Sequence, residues 1–152
     1  MAYQLLMERE PLVKLWEEAW AEGLWAAAWS KTVEGLPPEQ AAWKPQAEHH
    51  SIWQIVNHIL FWREITVRRL AGGREPEQGE VDRRNWEEPT QAGAAAWEAA
   101  QRQFAESHQE VLRVLRSDEG RLNRLLYHLA HDSYHIGQIM YLRAMLGLPP
   151  IE

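Results

Sequence analysis

An all-α protein, built as a four-helix bundle with one long crossover connection, is predicted by three features of this sequence. Nearly all apolar residues recur at helical spacing, and no segment alternates apolar and polar residues as a half-buried strand would. Residues 72–89, rich in glycine, proline and charge, are too long to link neighbouring antiparallel helices and suit a crossover. At 152 residues the chain fits one domain, 1–152, large enough to bury an extended core.

The elements follow in order. Leu5, Leu12, Trp16, Ala19, Trp20 and Ala27 share a helical stripe that places a first helix within residues 3–31, with Pro11 as its start or kink and Gly23 as a break point. Residues 36–45 make a connector whose short turn is opened by a proline and closed by Pro45. Ser51 followed by Gln54 reads as a capping box that starts a second helix, running to about Leu70. Thr90 caps a third helix, with the stripe Trp97, Ala100, Phe104, His108, Val111 and Leu115. Ser117 or Asp118 caps a fourth, which ends near Gly147 ahead of Pro149-Pro150. The fourth helix is apolar on two sides: Leu122, Leu125, Leu129, Ile136 and Met140 on one, and Leu142 and Leu146 with His128, His131 and His135 on the other. A helix buried all round needs two partner surfaces, so a homodimer is expected.

Composition excludes several classes. The absence of cysteine removes disulfides, thiolate metal sites and a cysteine nucleophile, leaving imidazole and carboxylate as the metal-binding groups. A net charge of −6 with no basic stripe argues against nucleic acid as a partner. No apolar run is long enough to cross a bilayer, and the start Met1-Ala-Tyr-Gln lacks the features of a signal peptide, so a soluble, cytoplasmic protein is expected.

The chemistry concentrates in histidines. His131 and His135 are four residues apart on the fourth helix, a spacing that lets both imidazoles reach one metal ion. His58 lies on the apolar arc of Ile55, Ile59, Trp62 and Ile65 and therefore points inward, where it needs hydrogen-bond partners or a metal. Three neutral imidazoles on two helices would leave a divalent ion with an open position, a catalytic pattern. Taken alone, His58 is better read as a hydrogen-bonded core histidine, and an isolated pair at the spacing of His131 and His135 is common by chance or on a solvent-exposed face. His128 lies three residues before His131, so a His128/His131 pair competes with His131/His135. His108 reads as a satisfied core histidine, with a fourth ligand or pocket acid/base as the alternative; His49 and His50 read as solvated loop residues. Gln138 could bond a bound water or a neighbouring helix. Asp132 and Glu48 read as surface carboxylates or as groups that orient an imidazole. Trp16, Trp20, Trp62 and Trp97 belong to inward stripes, and Trp25, Trp29, Trp43 and Trp53 are candidates for a rim or interface cluster.

The run His131-Asp-Ser-Tyr-His135-Ile-Gly137-Gln138, with Ser51-Ile-Trp-Gln-Ile-Val-Asn-His58 and Ala42-Trp43-Lys44-Pro45 upstream, resembles the DinB-like superfamily, particularly its YfiT-type members. The likeness covers about residues 5–147. It implies the DinB bundle with its crossover, often dimeric, and His58, His131 and His135 as ligands of zinc, nickel or another divalent ion. It further implies either thiol-dependent S-transfer, using a low-molecular-weight thiol such as bacillithiol or mycothiol, or hydrolysis. Tyr134 and Ile136 depart from the His-His-Arg-Gly-Gln ending common in the family, which leaves the three ligands in place but not the substrate. The expected function is a metal-dependent S-transferase acting on a small electrophile. The alternatives are a metal-dependent hydrolase and a non-enzymatic, stress-related dimer that binds metal or ligand.

Overall fold

The computed structural model describes residues 8–117 and 122–151. All regular structure among them is helical: α1 (Arg9–Ala21), a 3-10 turn (Trp29–Thr32), α2 (Pro38–Ala41), α3 (Ile52–Leu70), α4 (Gln78–Arg84), α5 (Ala94–Ser117) and α6 (Leu122–Met145). The expected all-α class is borne out. The four longer helices close a ring, in which α3 packs against α5 and α6, and α1 packs against the same two. Their shared interior holds Leu12 and Trp16 from α1, Ile52, Ile55, Val56 and Ile59 from α3, Trp97, Phe104, Val111 and Leu115 from α5, and Leu125, Leu129, Ile136 and Ile139 from α6.

Most element boundaries follow local chemistry that the sequence displays. Ser51 Oγ accepts from the Gln54 N–H at 3.1 Å while Gln54 Oε1 accepts from the Ser51 N–H at 3.1 Å, so the capping box is formed and α3 starts where it was expected. Pro38 occupies the first turn of α2. α6 ends at Met145, just ahead of Gly147. Leu5 and the Asp118 cap lie outside the described residues.

The structure sharpens the first helix and the crossover and corrects the cap of α5. The first helix breaks at Gly23 as expected: α1 stops at Ala21, Gly23 takes φ +80° and the N–H groups of Glu22 and Gly23 both close on the Glu18 carbonyl. Ala27 and Trp29 reach the core through the loop and the 3-10 turn, not through the helix. Within residues 72–89 the helix α4 forms without a single buried residue. Ion pairs replace an apolar face: Glu80 binds Arg68 at 2.8 Å and Glu64 binds Arg84. Thr90 does not cap α5, whose first intrahelical bond runs from the Trp97 N–H to the Gly93 carbonyl at 3.0 Å.

Side-chain donors fasten the 29–36 segment to the bundle. Trp97 Nε1 donates to the Leu36 carbonyl at 2.7 Å, Gln101 Nε2 to that of Val33, and the buried Arg143 to that of Thr32 at 3.0 Å. The break at Gly23 that frees this segment is sterically tight, because a Cβ there would meet the Ala26 carbonyl oxygen at 1.9 Å. Gly35 shares the left-handed conformation, φ +68°, but has open space around it. Gly35→Ala should therefore cost about 1–2 kcal/mol, the ordinary left-handed penalty, and Gly23→Ala distinctly more, measured as urea midpoints of the two variants side by side.

Candidate metal centre

His58 sits midway along α3, and His131 and His135 project one turn apart from α6, which packs against it. One ring nitrogen from each lies within 4.8 Å of the other two. His58 Nε2 and His131 Nε2 face each other at 3.1 Å. The protonation of these rings is set by what holds their other nitrogens. His58 Nδ1 lies 2.9 Å from the Asn85 carbonyl oxygen, His131 Nδ1 lies 3.0 Å from Asp132 Oδ1, and His135 Nδ1 lies 2.7 Å from Gln138 Oε1. All three partners are acceptors, so each Nδ1 carries the proton and each Nε2 of a neutral ring presents a lone pair.

Two lone pairs aimed at each other across 3.1 Å repel unless a cation lies between them. A tetrahedral ion with bonds of about 2.0–2.1 Å holds its nitrogen ligands about 3.3–3.4 Å apart, close to the separation found. The residues present therefore fit a divalent metal. Burial, followed by the neighbouring His135, pushes His58 down to about 4, and burial likewise lowers His135. Both rings are thus neutral near pH 7 and their lone pairs are available.

A buried network stands behind the ligands. Asp132, with no solvent exposure, accepts from Arg63 Nε at 2.7 Å through Oδ2 and from His131 Nδ1 through Oδ1. Burial alone would raise this carboxyl, yet Arg63 and the imidazoles of His128 and His131 hold it well below the usual carboxylate range. Arg63 Nη1 donates to the Phe104 carbonyl at 3.2 Å and to Ser107 Oγ at 2.8 Å, and the guanidinium lies 5.0 Å from the Phe104 ring centroid. Asp132 is not a surface carboxylate but the acceptor that fixes the tautomer of His131. Glu48 instead lines a groove of about 890 Å³ between the 45–50 loop and α6.

The crossover supplies the rest. Trp62 Nε1 donates to Asn85 Oδ1 at 2.8 Å, Gln54 Nε2 to the Trp86 carbonyl at 3.1 Å and Asn57 Nδ2 to the Glu87 carbonyl at 2.9 Å, pinning residues 85–87 along α3. The Trp86 indole is sandwiched between His58 and His50, with ring centroids 3.8 Å away on each side. His50 is therefore a stacked residue and not a solvated one.

His128 and His108 take different places from the triad. His128 Nδ1 pairs with Thr66 Oγ1 at 3.0 Å, and its Nε2 lies 3.3 Å from Asp132 Oδ1 but misaligned for a hydrogen bond. With His131 and Asp132 it forms a second group of ligand-type atoms, in which Arg63 already neutralises the carboxylate. His108 is caged by Trp20, stacked at 4.6 Å, and by Trp16 and Trp29. It belongs to neither ligand group among the described residues. A recess of about 320 Å³, bordered by Trp62, Thr66, Tyr127 and His131, reaches the triad at His131. Of the tryptophans, Trp16, Trp29, Trp53 and Trp97 are buried, whereas Trp25 is fully exposed.

The profile of the DinB superfamily matches residues 21–144. The chain belongs to the DinB superfamily. No curated protein and no solved structure gives a significant match. Within the matched span lie α3, the crossover, α5 and nearly all of α6, and so every histidine of the cluster. No helix among the described residues is long and apolar enough to cross a membrane.

Two outcomes are expected. Removing one partner of the buried pair strands a charge, so Asp132→Ala should cost about 3–5 kcal/mol, and Arg63→Met/Asp132→Ala together should cost less than the sum of the singles in a double-mutant cycle by urea denaturation. His108, lowered to about 3 by burial and then by Arg63, stays neutral in the folded state at pH values where the unfolded chain, with its histidines near 6.5, takes up a proton. Stability of the metal-free protein should therefore be full above pH 6.5 and fall as pH drops towards 3. His108→Phe should flatten that slope by up to about 1.4 kcal/mol per pH unit, read as urea midpoints between pH 7 and 4.

Proposed function

We propose that this protein is a metal-dependent enzyme in which His58, His131 and His135 hold one divalent ion, zinc or nickel. The reading rests on one observation: three imidazoles whose Nδ1 atoms are each committed to an oxygen acceptor, leaving three Nε2 lone pairs around a common point. When bound, such an ion supplies Lewis acidity that lowers the pKa of a water towards about 7 or deprotonates a thiol at neutral pH. The chain's own groups do the remaining work. Asp132, the Asn85 carbonyl and Gln138 hold the three rings in the ligand tautomer. Trp86 covers one face of His58, and Trp62 borders the approach.

Thiol-dependent S-transfer to a small electrophile is the preferred reaction; in a chain without cysteine its sulfur nucleophile would come from a low-molecular-weight thiol cosubstrate. Hydrolysis by water activated at the same ion is the alternative that uses the same ligands. An enzyme is favoured over a closed, non-enzymatic metal site by two features: His131 retains 30% side-chain exposure at the edge of the recess, and His108, the candidate fourth ligand, lies in its tryptophan cage outside the ligand group.

Elemental analysis of untagged protein tests the reading. About one equivalent of zinc or nickel is expected in the wild type and none in His58→Ala or His135→Ala. Asp132→Asn, which keeps the size but loses the charge behind His131, should weaken metal affinity roughly 10–100-fold in a chelator competition. Wild-type protein that carries no metal, and gains no thermal stability from added zinc, nickel or manganese, would rule the proposal out. With metal established, turnover of a model electrophile that requires added thiol, and is absent with water alone, separates transfer from hydrolysis.

A further inference from the structure

Contacts between α3 and α6 continue past the triad as a ladder. His58 faces His131 at 3.1 Å, and the next rung pairs Thr66 Oγ1 with His128 Nδ1 at 3.0 Å. Residues later in α3 meet residues earlier in α6, so the two helices run antiparallel. Along α3, Trp62, Thr66 and Arg69 follow His58 on one face; on α6, Arg124 lies two turns before His131 on the face of that histidine. The last rung therefore brings Arg69 and Arg124 to one place, and both line the recess of about 320 Å³ that reaches His131.

Two arginines there run against the charge of the chain. Acidic residues outnumber lysine and arginine 22 to 16, yet no acidic side chain lines the recess. Glu75, outside the lining, accepts from Arg69 Nε at 2.8 and 3.0 Å. The Arg69 guanidinium also lies 5.9 Å from the Trp62 ring centroid, and the indole N–H of that ring is tied to Asn85. Arg69 is thus held leaning back towards the triad. Arg124 is exposed and makes no ion pair among the described residues. Its charge nevertheless acts on Glu75, whose carboxyl is held below the usual carboxylate range by the bonds from Arg69 and, less strongly, by Arg124. Low-dielectric walls such as Trp62 and Tyr127 focus the field of both cations into the space between them.

We infer that this recess takes a small organic carboxylate, with its anionic end on Arg124 and Arg69 and its other end at the histidine triad. A guanidinium fork matches a carboxylate in a bidentate pairing, and Glu75 already shows Arg69 accepting such a partner. Helix rise sets the length. The seven residues from Arg124 to His131 span about 10 Å, and Arg69 leans back along α3 as helical side chains do. The ligand therefore carries its carboxylate about 10 Å from the atom that reaches the triad, which excludes acetate and other minimal anions. Trp62 supplies an apolar wall for the stem between the two ends. The chemistry at the triad end rests on the proposed metal site, whereas the anionic end rests on the arginines.

Octanoate and octan-1-ol, alike in chain and different in charge, probe the anionic end. In nitrogen-15 correlation spectra of chelator-treated protein, octanoate should shift the Nε–H signals of Arg69 and Arg124 and the Trp62 indole N–H. Octan-1-ol should leave both arginine signals in place. Arg69→Gln/Arg124→Gln should weaken octanoate binding roughly tenfold or more, with helical circular dichroism and bound metal unchanged. Calorimetry on protein of known metal content probes the full length. If ω-mercaptooctanoate binds metal-loaded protein more tightly than ω-mercaptooctanol, the thiol cosubstrate carries the carboxylate. If the two bind equally while octanoate still shifts the arginines, the electrophile carries it. Protein without metal would overturn the proposed metal site and leave the octanoate result standing. Octanoate that shifts none of the three signals, or that binds the double variant as it binds the wild type, would overturn the inference. Mercaptopropionate that binds as tightly as ω-mercaptooctanoate would overturn the length.

Discussion

A carboxylate that must stay charged where water cannot reach it organises this protein. Asp132 has no exposure, and leaving it unpaired would cost several kcal/mol, so the surrounding helices must present its counter-charge and donors in fixed positions. Arg63 does so from α3, and α5 in turn must offer the Phe104 carbonyl and Ser107 hydroxyl to the guanidinium Nη1. Three helices are thereby locked in register by polar geometry, which apolar packing alone specifies less sharply. The ligand His131 hangs from the same carboxylate, so the requirement that fixes the bundle also fixes the site.

The tryptophans complement this network. Trp16 and Trp29 each lie within 6 Å of the Arg63 guanidinium, and with Trp20 they cage His108. A cation buried among aromatic faces keeps part of the stabilisation that it loses on leaving water. A conspicuous share of this chain's nine tryptophans therefore surrounds the charged interior, which explains an enrichment that apolar filling by leucine or isoleucine would not need.

Much of this was legible in the sequence. The capping box at Ser51, the inward arc through His58 and the four-residue spacing of His131 and His135 each follow from period and local hydrogen bonding, and the structure brings those residues together. The resemblance to the DinB superfamily extended the same reading to the whole bundle. Asp132 could have been placed correctly, because it continues the apolar stripe of Leu125, Leu129 and Ile136, and Arg63 likewise interrupts the stripe through Val56 and Ile59. Opposite charges on two inward stripes signal a buried pair. Asn85 and Trp86 had no such signal. They follow α4, a helix held by ion pairs with no buried residue, and hydrophobic period is blind to contacts of that kind.

The position of that segment has an evolutionary consequence. Core residues change rarely because packing constrains each of them, but a crossover whose helix buries nothing is free to accept substitutions and altered length. Here the same stretch delivers the Asn85 carbonyl to one ring nitrogen of His58 and the Trp86 indole to its face. Drift in a region under little folding constraint can thus change the basicity and shielding of one histidine while all three remain in place. Descendants of this chain could acquire new reactivity without passing through an unfolded ancestor.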